Sequence, residues 1–351
     1  MRFDEPKGHE QVLAGLFAAA REDRLAHALC FTGPDGAGKF LAAERLAMGL
    51  FCAKGPPVSG GPCGACGPCK RARADSHPDV FVIDPLAEGE EEIKLERITP
   101  RTGASGGNVS EFLALKPMEG GWRVVLVRDA ERLNEEAQNA LLKTLEEPGA
   151  STLLVLVTAR PDLLLPTIHS RCVRVALAAP GEELARALLL AAGVPADEAA
   201  TSARWSRGAP GAASALHRRG AVRMRALFVR VLAGELTAAE AVDAWSELEG
   251  DFDARTPSAG TRLRARTFLD LAIEALSDLR RARSGLDPAR LAHGDLATAA
   301  WVPSAAALER QLEECLRARQ DVDLNLAPDA AVERALLALE PVRAPAPRTS
   351  R

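Results

Sequence analysis

Gly33-Pro34-Asp35-Gly36-Ala37-Gly38-Lys39-Phe40 follows the phosphate-binding loop pattern G-x-x-x-x-G-K-[ST] until its last position, where Phe40 replaces the hydroxyl residue. The motif has meaning only between a strand and a helix, and the sequence predicts both. Ala28-Leu29-Cys30-Phe31-Thr32 is a short apolar run suited to a buried strand, and Phe40 to Met48 has helical character. Backbone N–H groups of such a loop wrap phosphate oxygens, and Lys39 adds a positive charge. Gly33, Gly36, Gly38 and Lys39 are therefore candidate nucleotide contacts. Phe40 has no atom to offer the Mg²⁺ that a Ser or Thr would touch.

Outward from the loop, strands and helices alternate. Gln11 to Arg24 carries Val12, Leu13, Leu16 and Phe17 at helical spacing. Val80-Phe81-Val82-Ile83, Arg123-Val124-Val125-Leu126-Val127 and Leu153-Leu154-Val155-Leu156-Val157-Thr158 are predicted strands, and the polar, Gly-rich residues 84 to 108 a loop. Asn134 caps a predicted helix with Glu135 and Glu136 in its first turn. That helix stops before Pro148, and Ala137, Ala140, Leu141 and Leu145 share one of its faces. The pattern implies an α/β core, a parallel sheet with helices on both faces. After Pro180 only Ala/Leu/Arg/Glu-rich helical segments follow. The expected organisation is a core over 1–178, a small helical domain over 179–218, a larger one over 219–340 and a Pro-rich disordered tail over 341–351.

Composition narrows the function. A chain of 351 residues exceeds one ordinary core. A net charge of −4 argues against unaided DNA binding as the main task. No apolar run reaches the length of about 18 residues that a membrane helix needs, and Met1-Arg2-Phe3-Asp4-Glu5 is no signal peptide. The expected address is cytoplasmic, without membrane contact.

In a reducing compartment, clustered cysteines mean metal more readily than disulfides. Cys52, Cys63, Cys66 and Cys69 supply four thiolates, enough for a closed tetrahedral zinc site, and Pro62, Gly64, Gly67 and Pro68 permit the tight turns. An iron–sulfur cluster is the rival, because C-x₂-C-x₂-C also occurs in ferredoxin-type sites. Here the fourth cysteine lies upstream, which favours structural zinc. Cys30, Cys172 and Cys315 read as packing residues.

At the end of the Val124 strand, a P-loop ATPase needs an acid pair to hold Mg²⁺ and polarise water. This chain has Arg128-Asp129 there, so both protein groups that should hold the metal are altered. Hydrolysis at this loop is expected to be lost and no Mg²⁺ site is expected, while passive ATP or ADP binding stays open.

Further motifs bring a resemblance. Asn139-Ala140-Leu141-Leu142-Lys143-Thr144-Leu145-Glu146-Glu147-Pro148, then Thr158 and Ser170-Arg171-Cys172, resemble a bacterial DNA polymerase III clamp loader. Arg24-Leu25-Ala26-His27-Ala28, the four cysteines and Ser76-His77-Pro78-Asp79 belong to the same pattern, over roughly residues 8 to 178. The resemblance implies a P-loop AAA+ core, a helical lid and a helical collar that builds a pentameric ring. Within the family, the ATPase subunit (gamma/tau) keeps an intact loop and acid pair. Phe40, Arg128 and Gly211, where an active lid offers an arginine, make this chain more similar to the delta-prime kind.

What the resemblance implies can be stated residue by residue. Arg171 would act in trans as an arginine finger on a neighbouring ATPase subunit, and Thr158 would lie at the degenerate nucleotide site. Gamma/tau and delta would be the partners, with the sliding clamp and primer–template DNA reached through the complex. Asn139 and Lys143 would face that DNA. The competing readings are an ATP-hydrolysing gamma/tau-type subunit and a zinc-dependent nucleic-acid-binding module on a degenerate P-loop domain. The acidic balance and the absence of tyrosine speak against the latter.

Overall fold

The computed structural model of the chain describes residues 5–88, 90–100, 107–119, 121–252, 256–324 and 326–340. The tail expected over 341–351 lies outside them. The described residues fall into two units. One is the chain up to Leu184 with Ala209–Gly211, and the other is Ala185–Gly208 with the chain from Ala212 onward.

In the first unit β1 (Ala28–Thr32), β2 (Val80–Ile83), β3 (Arg123–Val127), β4 (Thr152–Thr158) and β5 (Val173–Ala176) form one parallel sheet in the order β2-β3-β4-β1-β5. Its helices are α1 (Glu10–Arg21), α2 (Lys39–Phe51), α3 (Gly67–Arg73), the single turn α4 (Pro85–Glu88), α5 (Val109–Ala114), α6 (Glu135–Glu146) and the short α7 (Pro166–His169). Strand side chains alternate between faces. Leu29, Phe31, Val124, Leu126, Leu153 and Val155 pack with Leu13 and Phe17 of α1 and Leu46 of α2. Ala28, Cys30, Val125, Val127, Leu154 and Leu156 pack with Ala137, Leu141 and Leu145 of α6. Burial on both faces makes the central positions of β1, β3 and β4 apolar, with polar residues such as Thr32, Arg123 and Thr152 at strand ends, as a covered parallel sheet requires. The α/β expectation holds.

Two local features differ from the expectation. The β5 edge strand was not predicted, because Val173-Arg174-Val175-Ala176 lacks an apolar run. Among the described residues it pairs only with β1, and Val173 is exposed. The stretch 84–108 is more than loop. It contains α4, a 3₁₀ turn over Leu95–Arg97 and a bridge from Ile93 to Leu133, with Ile93 and Ile98 buried in the core. Residues 89 and 101–106 of that stretch are outside the described set.

The capping expectation for α6 is met: Asn134 Oδ1 accepts the Ala137 N–H at 2.9 Å, and the helix ends at Glu146. The second unit is helical: α8 (Glu182–Ala191), α9 (Ala196–Trp205), α10 (Pro210–Arg218), α11 (Ala221–Leu232), α12 (Ala238–Glu247), α13 (Pro257–Arg283), α14 (Ala305–Asp323) and α15 (Pro328–Leu339), with the first residues of α8 and α10 in the first unit. Leu189, Val194, Ala199 and Ala213 form a small cluster. Trp205 of α9 instead joins the large core of α11–α15. Among the described residues, no helix is long and apolar enough to cross a membrane.

His293 is buried in this second unit. Its Nδ1 accepts from Arg225 Nε at 3.2 Å, its backbone N–H donates to Asp278 Oδ2 at 3.0 Å, and its ring lies 5.0 Å from that of Trp205. Burial, helped by the Arg225 charge, lowers its pKa from 6.5 to about 4. The unfolded chain therefore binds a proton through that window while the folded chain does not. Stability from this group is complete above pH 6.5 and lost as pH falls toward 4. Burial raises the pKa of Asp270 and Glu274 in the same unit, an effect of opposite sign, so the variant comparison matters. Urea unfolding at stepped pH should show a loss of up to ~3 kcal/mol between pH 7 and 4 in the native chain that His293→Asn lacks. Parallel pH profiles for the two would refute it.

Candidate functional site

The glycine loop joins β1 to α2 and is held from several sides. Gly33 passes so close to the chain just beyond β5 that a Cβ there would sit 2.0 Å from Leu177 O, so the first position of the loop admits only glycine. His9, itself buried, donates through Nε2 to Ala37 O at 2.7 Å. Gly36 and Gly38 adopt positive φ, and Gly38 is the N-cap of α2. Lys39 is 7% exposed and its Nζ donates to Pro34 O at 2.8 Å, with Asp35 Oδ1 at 3.9 Å. Burial pulls its pKa below the ordinary lysine value. Lys39 is thus turned into its own loop. Gly211 completes the enclosure: its N–H donates to Gly36 O at 2.8 Å, and a Cβ there would lie 2.9 Å from that oxygen. An arginine at 211 would need the loop to move. Thr158, buried at the end of β4 and level with Thr32 of β1, accepts the Arg160 N–H at 3.0 Å.

Beside the loop, the two departures from the active pattern touch each other. The Arg128 guanidinium lies 5.1 Å from the centroid of the Phe40 ring, a cation–π distance. Asp84, at the end of β2, holds it from the other side with Nη1 to Oδ2 at 2.9 Å. Loop and strand end thus meet through a side-chain contact, and neither a ring nor a guanidinium has a ligand atom for Mg²⁺. Asp129 follows in left-handed backbone, and burial raises its pKa.

Arg171 lies apart from the loop, after α7. Nη1 donates to Thr167 O and Ser170 Oγ, both at 3.1 Å, and Nη2 to Glu146 Oε1 at 2.6 Å. The side chain is about one-third exposed, so it is accessible yet oriented. Asn139 and Lys143 are exposed on one face of α6. Sequence reading overlooked His9, Asp84, Gln138 and Glu146 as supporting groups. Only Gln138 leaves a signal, an amide on the apolar face beside Ala137 and Leu141.

The four cysteines converge. The Sγ atoms of Cys52, Cys63, Cys66 and Cys69 all lie within 4.8 Å of one another, and Cys63 and Cys69 are 3.9 Å apart. Zn–S bonds of about 2.3 Å give a tetrahedral edge of about 3.8 Å, so the set suits one metal ion such as zinc. Backbone N–H groups of Cys66 and Ala65 lower the Cys63 thiol to about 6, whereas burial pushes Cys69 up to about 12. Cys66 caps α3, and Cys69 in its first turn packs with Met48 and Cys52 at the end of α2. The module is tied to the sheet by the Phe51–His77 ring stack at 3.9 Å and the Arg71–Glu119 ion pair. Asp79, fully buried, accepts the Met118 N–H at 2.8 Å and the Glu119 N–H at 2.5 Å.

Residues 8–181 match the family model described as DNA polymerase III, delta subunit. The DNA polymerase III subunit delta' of Pseudomonas aeruginosa is 37% identical over 232 residues, 64% of this chain and 66% of that protein. The subunit of the same name from Escherichia coli is 36% identical over 202 residues, 57% of each chain. A DNA polymerase III subunit gamma/tau from Mycobacterium tuberculosis is 33% identical over 175 residues, 48% of this chain and 27% of that one. The chain thus spans less than two-thirds of the length of these relatives.

Elemental analysis of the purified chain should find metal bound through the four thiols. Cys69→Ser should remove it and loosen the 52–75 segment to limited proteolysis, with the sheet intact by circular dichroism. Unchanged metal content in Cys69→Ser would exclude the four-thiolate site.

Proposed function

Because residues 8–181 belong to the DNA polymerase III delta-subunit family, we propose that this chain is a delta-prime-type, non-hydrolysing subunit of a clamp loader. It supports ATP-dependent loading of the sliding clamp on primed DNA and supplies Arg171 in trans to a neighbouring ATPase subunit. The Arg128–Phe40 contact, anchored by Asp84, carries the reading. The groups that would hold Mg²⁺ are packed against each other, so nucleotide hydrolysis has no place here. Lys39 is bonded within the loop, and Gly33, Gly36, Gly38 and Thr158 serve as an architectural remnant open at most to passive ATP or ADP binding.

Chemistry then belongs to the half-site at Arg171. A guanidinium offered to a neighbour's γ-phosphoryl stabilises charge in its transition state, with an effect of roughly 10³–10⁵ in rate. Cys52, Cys63, Cys66 and Cys69 hold a structural zinc that keeps α3 against α2. The helices over 179–218 act as the lid and those over 219–340 as the collar. Partners are gamma/tau and delta in a pentameric cytoplasmic assembly, and clamp and primer–template DNA are met through it, with Asn139 and Lys143 facing the DNA.

The gamma/tau relatives support a second reading, an ATP-hydrolysing subunit. Turnover by the isolated chain separates the two. The expected outcome is no ATP hydrolysis and no change on Lys39→Ala, and steady turnover abolished by that substitution would favour the second reading. In the reconstituted assembly, Arg171→Ala should leave stoichiometry intact while the site facing it slows by roughly 10³-fold or more. Total turnover then falls only in part, because other sites continue. Clamp-loading ATPase equal to that of the native assembly would sink the finger role.

A further inference from the structure

We propose that Glu146 is a positioning residue for Arg171 and that α6 is the rigid mount on which the guanidinium is aimed. The inference rests on the reading that Arg171 acts on a neighbouring nucleotide.

An arginine that projects from a protein surface has many rotamers, and an arm that must meet a phosphate in another subunit loses entropy on docking unless it is already aimed. Here both ends of the arm are held by one helix. Gln138, 5% exposed on α6, accepts the Leu165 N–H at 2.7 Å and donates to Leu133 O at 3.0 Å and Leu163 O at 3.3 Å. It thereby clamps the backbone that leads into α7, whose Ile168 is fully buried. At the other end of α6, Glu146 takes Nη2 of Arg171 at 2.6 Å. That end is itself anchored, since Leu145 is buried and its carbonyl accepts from His27 Nε2 at 3.0 Å. Nε of Arg171 has no acceptor among the described residues, so donor capacity remains for a phosphoryl oxygen.

Ordinary stability does not account for this pair. Arg171 and Glu146 are 34% and 52% exposed, and ion pairs in that setting contribute little to folding. Aiming requires only a bias among rotamers, which such a pair supplies. The carboxylate also has a cost, because it partly neutralises the charge offered to the phosphate. Geometry and charge therefore pull in opposite directions, and substitutions can separate them.

The test is steady-state ATP turnover, against ATP concentration, of the assembly reconstituted from full-length chains with clamp and primed DNA. Arg171→Ala is measured first. If it changes nothing, the finger reading fails and the mount fails with it. Given a defect there, Glu146→Ala is expected to lower the Arg171-dependent share of turnover (native minus Arg171→Ala) by about two- to fivefold, the range of an exposed pair, with KM for ATP held. Glu146→Gln keeps an acceptor and drops the charge, so it should match or exceed the native rate. Glu146→Ala should add no further loss to Arg171→Ala. Native or higher turnover in Glu146→Ala, beside a defective Arg171→Ala, would overturn the positioning role while leaving the finger standing. An added loss in the double variant would also overturn it, by showing that Glu146 acts through something other than Arg171.

Discussion

One contact organises the first unit around its glycine loop: the Arg128 guanidinium over the Phe40 ring, tied to Asp84. A P-loop and the strand beside it usually share an ion, and an ion can arrive and leave. Here the bridge is covalently part of the chain. Phe40 adds ring surface to the core on the α1–α2 face, and Arg128 supplies the positive charge at the end of β3. The loop is closed from its other sides by His9 on Ala37 O and by Gly211 on Gly36 O. The glycine loop keeps its shape because the protein itself satisfies its groups.

That closure separates two uses of a positive side chain. Lys39 is buried, its pKa lowered, and its ammonium bonded to a loop carbonyl. Arg171 is partly exposed and leaves donor capacity toward solvent. Arginine suits the second setting, since its planar fork stays charged and can be steered from one edge while another stays free.

Much of this was legible in the sequence, for a physical reason. A covered parallel sheet demands apolar residues on both faces of its central strands, so β1, β3 and β4 announce themselves as unbroken runs. The cysteine spacing is equally direct, because four thiols brought near one another by Gly- and Pro-rich turns have few other uses. What stayed hidden depends on distance in space. Val173–Ala176 reads as no strand because an edge position tolerates Arg174 and exposed Val173. Phe40 and Arg128 are two separate oddities in sequence, and only the sheet order, with β1 and β3 flanking β4, brings loop and strand end within reach. Glu146 looks like any solvated acid at a helix end, and nothing local marks it as the partner of Arg171.

The polar groups also tie the glycine loop and Arg171 to one frame. Arg171 has a stable origin, and the sheet and helices that carry the glycine loop provide it. Arg171 follows α7, α7 is set by Gln138 of α6, and α6 is seated on β3 and β4 through Ala137, Leu141 and Leu145. These strands in turn carry Arg128 and Thr158 at their ends. Loosening the degenerate centre would therefore move the frame from which Arg171 projects. Tight packing at the glycine loop and a fixed seat for Arg171 are thus two consequences of one sheet and the helix laid on it.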